Sequence, residues 1–97
     1  MNPQSDKAAA LAQRLFTDEL GALELFTVYL GDRLGLYRTL VDGSWVTSAE
    51  LAERTGTAER YIREWLEHQA TSGLLEVDDA AAAALQRRYR LPPEHVP

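Results

Sequence analysis

The chain contains no cysteine. Disulfides and thiolate metal sites are therefore excluded. Imidazole is scarce: His68 and His95 are the two histidines, and they lie far apart in sequence. No metal ligands are expected. No apolar run approaches the roughly 20 residues that a membrane span needs. The opening MNPQSDKAAA has no basic region followed by an apolar block, so it does not read as a signal peptide. A cytoplasmic location is the expectation, with no membrane partner. Positive charge is also short. Lys and Arg number 10 against 15 Asp and Glu, a formal charge of −5. Phosphate neutralisation supplies most of the affinity of a nucleic-acid reader, so this balance argues against nucleic acid as partner.

Catalytic patterns are missing too. No glycine-rich loop follows a strand. Asp18-Glu19 and Asp78-Asp79 are adjacent in sequence, which points their side chains apart and suits solvated charges better than an acid–base pair. His68 falls on an exposed helix face and reads as a surface residue, while Tyr29 and Trp65 read as core or interface aromatics. No catalytic or cofactor-binding residue is expected in the chain. Its 97 residues make one domain at most, and its 45% apolar content allows a modest core.

What is present is organised around Thr47–Ser72. Thr47 and Glu50 have capping-box spacing. The helix that begins at Ser48 stops at Gly56, which suits a left-handed C-terminal position. Thr57 is placed to cap a second helix, Ala58 to Ser72, and Gly73 ends it. Ala52, Gly56 and Ile62 are spaced as a close helix crossing and a sharp turn require. Trp45-Val46 is a short strand candidate before this pair. Leu74–Asp78 and Arg88–Leu91 alternate like half-buried strands after it. Paired antiparallel, they bury Leu75, Val77, Tyr89 and Leu91 and set Glu76 and Asp78 opposite Arg88 and Arg90. Asp79–Gln86, with five consecutive alanines, becomes the wing. The fold class is mainly α with a small β-wing: a winged helix-turn-helix preceded by long N-terminal helices.

Before this motif the chain is helical in pattern. Residues 1–5 are expected to fray, with Ser5 or Asp6 as the first cap. Phe16, Leu20, Leu23, Phe26, Leu30, Leu34 and Tyr37 are spaced by three or four and lie along one face. Leu11, Leu15, Ala22, Leu25 and Tyr29 form a second row. Together they make a stripe wider than one neighbouring helix covers. Part of it is expected to meet another chain, with Phe16, Leu20, Leu23, Phe26, Tyr29 and Leu30 as the candidate face; the alternative is a helix buried on two sides within the monomer. Gly21 predicts a break between two helices. Gly31 and Gly35 share a face and predict close approach of another backbone. The expected organisation is an N-terminal helical extension over 1–19, a winged-helix domain over 20–92, and the start of a linker over 93–97.

The second helix of such a motif would enter the major groove. Here its arginines have carboxylates at helical spacing: Glu59 with Arg63, Arg60 with Glu64, and Arg63 with Glu67. The one basic cluster, Arg87, Arg88 and Arg90, pairs with the acidic first wing strand. A small dimeric DNA-binding regulator remains the alternative, and it would use Arg60, Arg63, Arg87, Arg88 and Arg90.

The blocks LGDRLGLYRTL, VTSAELAERTGTAERYIREWLEHQATSGLLEVD and RRYRLPPEHV resemble the N-terminal winged-helix domain of bacterial, actinobacterial-type class I S-adenosylmethionine-dependent methyltransferases. The resemblance covers roughly residues 20 to 96. It implies a non-catalytic domain that packs against its counterpart, as a homodimer, or on a catalytic domain, and helps to cover a substrate pocket for a small-molecule acceptor. S-adenosylmethionine is implied for the catalytic domain. The sequence stops at Pro97 without that domain's glycine-rich loop, so no cofactor is expected on these residues.

Overall fold

Helix α1 runs without interruption from Pro3 to Arg33. The break expected at Gly21 does not occur. One glycine costs a helix about 1 kcal/mol, and the strong helix formers on both sides outweigh it. The computed structural model describes residues 3–96; Met1, Asn2 and Pro97 lie outside the described residues. Ser5 and Asp6 are inside the first turn of α1 rather than at its cap, and residues 3–5 are helical rather than frayed. The helix also passes through residues 19 and 20 as one element.

Gly35, at φ 73°, ends this helix and turns the chain into α2 (Leu36–Leu40). Gly35 is therefore not on a helix face shared with Gly31, as its spacing predicted. Leu36 and Leu40 are fully buried and begin the core. After the Val41–Ser44 turn, Val46 bridges Tyr89 with both ladder bonds, 2.9 and 2.8 Å.

Helix α3 (Ser48–Thr55) starts on the expected capping box. Thr47 Oγ1 accepts from the Glu50 amide at 3.2 Å, and Glu50 accepts from the Thr47 amide at 3.0 Å. Gly56 ends it at φ 67°, a conformation that costs a side chain and suits glycine. Helix α4 (Glu59–Thr71) follows at once. Its cap is Ala58, without a side-chain bond, and not Thr57. The Thr57 hydroxyl is engaged with the Thr55 hydroxyl at 2.7 Å instead. Leu51 and Ala52 of α3 and Ile62, Trp65 and Leu66 of α4 are buried together, with Ala52 where the crossing needs a small residue.

Strands β1 (Glu76–Val77) and β2 (Tyr89–Arg90) pair antiparallel, Glu76 opposite Arg90 and Val77 opposite Tyr89. Leu75, Tyr89 and Leu91 close the core from below α4, with Val77 partly buried at its edge. The wing between them holds a 3-10 turn at Ala84–Gln86. A second such turn, Pro93–His95, brings Val96 against the core. The result is a body of three short helices and a small sheet, from which α1 extends; the molecule measures 55 × 28 × 27 Å.

Candidate functional site

Only the C-terminal third of α1 is fixed to the body. Trp65 Nε1 donates to the Thr27 carbonyl at 2.9 Å, and Gln69 Nε2 donates to Thr27 Oγ1 at 3.0 Å. Tyr37 donates its hydroxyl to Gln69 Oε1, and its ring meets Trp65 edge-on at 5.2 Å. Burial, and then the charge of Glu24, push the Tyr37 hydroxyl up to about 12. Gly31 is the space these rings occupy. A Cβ there would stand 2.5 Å from Tyr37 and 2.6 Å from Trp65. The close approach predicted at Gly31 is real, but aromatic rings make it and not a second backbone.

Beyond this anchor α1 is exposed along its described residues. Residues 3–23 are all exposed. Phe16, Leu20, Leu23, Phe26 and Tyr29 of the candidate face are each about half exposed, and Leu30 is half-buried. Leu11 and Leu15 extend the surface towards the N-terminus, and Leu25 is 72% exposed. The monomer thus does not bury this helix on two sides. These eight large side chains, Leu11 to Tyr29, are spread over more than half of the circumference of α1 at 3.6 residues per turn.

The five arginines of the nucleic-acid alternative are each paired with a carboxylate. On α4, Arg60 meets Glu64 at 3.2 Å and Arg63 meets Glu59 at 3.4 Å. Glu59 also accepts from the buried Ser48 hydroxyl at 2.5 Å. On the wing, Arg88 meets Asp78 at 3.1 Å and Arg90 meets Glu76 at 2.9 Å. The Arg90 guanidinium also lies over the Trp45 ring, 4.8 Å from its centroid. The expected Arg63–Glu67 pair is not made. Glu67 turns to Arg87 at 3.5 Å, which ties the wing to α4. Arg87 thus reaches towards α4, while Arg88 and Arg90 pair along the wing. Asp78 is held below its ordinary carboxylate range, first by the Arg88 amide and then by the Arg88 side chain.

His68 differs from its surface reading. It is half-buried, and its Nε2 is enclosed without a hydrogen-bond partner. His95 Nδ1 lies 2.8 Å from the Leu74 carbonyl and pins the Pro93–His95 turn to the start of β1. Among the described residues, no three His, Asp or Glu side chains gather as a group that could hold a metal ion. No described helix is long and apolar enough to cross a membrane. Two clefts flank the body. One, of about 380 Å³, runs between α4 and the wing past Glu67, Arg87 and Tyr89. The other, of about 530 Å³, is lined by Val28, Tyr37, Val41, Leu74 and His95. The Thr27–Gln69–Tyr37 network has no local sequence signal, because Gln69 lies 32 positions from Tyr37 and 42 from Thr27.

A bridging Val46, a helix-turn-helix and a two-stranded wing in this order define a winged helix-turn-helix protein. Residues 21–97 match the family model of the Rv2258c-like winged HTH domain, and the chain belongs to that family. No curated protein matches the chain in sequence.

Proposed function

We propose that this winged helix is a non-catalytic assembly domain of an S-adenosylmethionine-dependent methyltransferase. It joins copies of the protein through α1 and covers one side of the substrate pocket. One observation carries the assembly role: a helix anchored by its last turns leaves Phe16, Leu20, Leu23, Phe26 and Tyr29 about half exposed, more large apolar side chains than a solvated helix needs to show. The paired arginines support the same reading, since a DNA contact would first have to break ion pairs already made. The methyltransferase setting is supported by the LGDRLGLY and ERYIREWL blocks, which stand here as residues 30–37 and 59–66.

Two binding measurements test this reading. Titration of the chain with S-adenosylmethionine is expected to give no heat, whereas the product of the reading frame extended past Pro97 is expected to bind it. An extended frame that encodes no cofactor-binding domain would remove the methyltransferase setting. Titration with duplex DNA over a range of salt is expected to show no sequence-specific complex. A specific, steeply salt-dependent complex would replace this reading with that of a DNA-binding regulator.

A further inference from the structure

We infer that the cleft beside the anchored end of α1 binds a small, neutral, largely apolar molecule that carries a hydroxyl group, and that His95 accepts the hydroxyl hydrogen. The site belongs to this chain alone. It rests on neither the pairing of copies through α1 nor the methyltransferase setting.

The walls come from each part of the fold that meets there. Val28 is on the anchored end of α1, and Val41 follows α2. Leu74 and Leu91 flank the two strands, and Val96 follows the last 3-10 turn. The space they line is about 530 Å³, within the ~300–1,000 Å³ of small-molecule sites. Tyr37 adds its ring, and its hydroxyl is already given to Gln69. Such a lining favours an apolar body, which it removes from water.

Asp32 and Arg38 also line the cleft. Both are exposed, which sets them at its rim, and they stand 3.7 Å apart. Their charges offset each other, so the cleft offers a ligand no net charge. A neutral occupant is the one it suits.

His95 is the remaining polar side chain of the lining. Its Nδ1 lies 2.8 Å from the Leu74 carbonyl. A carbonyl only accepts, so Nδ1 carries the hydrogen, and in the neutral ring Nε2 is then an acceptor. The same bond holds the ring beside Leu74, itself a wall residue. A hydroxyl is the neutral donor that answers this acceptor and leaves the rest of the ligand apolar.

Titration of the full chain with thymol, and separately with its methyl ether, tests the site. Thymol is an apolar phenol, and the ether has the same body without the donor. Amide proton–nitrogen correlation spectra follow both titrations at about pH 8, where free imidazole and phenol groups are neutral. Saturable shifts are expected at Val28, Val41, Leu74 and Val96. The preference for thymol over the ether is expected to fall about five-fold in His95→Asn, the worth of one hydrogen bond. Asn keeps an amide N–H for the Leu74 carbonyl and lacks Nε2. An unchanged preference in His95→Asn would overturn the role of His95 and the hydroxyl class with it. Shifts that do not saturate, or that fall on Phe16 and Leu20 instead, would overturn the site.

Discussion

Gln69 reaches across 42 positions to donate its amide to the Thr27 hydroxyl at 3.0 Å, and so fixes the direction in which α1 leaves the body. The same side chain accepts the Tyr37 hydroxyl, and it is fully buried. Its replacement by leucine leaves that hydroxyl without its partner. The Gln69→Leu chain is expected to lose about 1–3 kcal/mol, the penalty for an unsatisfied buried group, measured by urea unfolding.

Tyr37 also sets an alkaline limit. Its folded pKa is raised, from an ordinary 10.0 to about 12. Its stabilising contribution is therefore complete below pH 10 and is lost as pH rises from 10 towards 12. Tyr37→Phe is expected to flatten that part of the stability profile, read from thermal unfolding at each pH. An unchanged alkaline slope would place the titration elsewhere.

The glycines of α1 predict opposite effects. A Cβ at Gly21 meets nothing within 4 Å, so Gly21→Ala is expected to stabilise by up to about 1 kcal/mol through helix propensity. A Cβ at Gly31 meets two anchored rings, so Gly31→Ala is expected to destabilise by about 1–3 kcal/mol, as overpacking does. Unfolding midpoints of the two variants on opposite sides of the parent would bear this out.

Those two glycines also show what the sequence can and cannot reveal. The capping box at Thr47 and the Glu76–Arg90 register were legible because both follow from spacing along a few residues. The helix-turn-helix was legible for the same reason. Gly21 misled because the cost of one glycine is fixed while the gain from a long helix accumulates around it. Thr57 misled because a hydroxyl has alternative partners, and here the Thr55 hydroxyl takes it. Arg63–Glu67 failed because Glu67 had a second arginine available from the wing, 20 residues on, and spacing within one helix does not show it. The apolar face on α1 was legible as a periodic stripe, but its anchor at Thr27, Gly31 and Gln69 was not. That anchor depends on which distant residues the fold brings together.

The cap at Thr47 gives an acid-side prediction. The Thr47 amide, and then its hydroxyl, hold the Glu50 carboxyl below its ordinary 4.5. Asp42 and Asp78 are lowered likewise by the amides of Ser44 and Arg88. A depressed carboxyl stabilises the fold above its unfolded pKa and stops doing so as pH falls through its folded value. Stability is thus expected to be level from neutral pH down to about 5 and to decline below about 4. Thr47→Ala is expected to cost about 1 kcal/mol at neutral pH and to lessen that acid decline, followed by circular dichroism.

The central claim is that the α1 face is an interface between copies, and sedimentation equilibrium tests it most directly. Leu20 is 52% exposed and no part of the core, so Leu20→Glu leaves the fold intact and places a charge on the face. The parent chain is expected to sediment as a dimer at tens of micromolar, and Leu20→Glu as a monomer whose unfolding midpoint matches that of the parent diluted until it too is monomeric. A parent chain that stays monomeric at high micromolar concentration would contradict the account, and so would a Leu20→Glu chain that dimerises as the parent does.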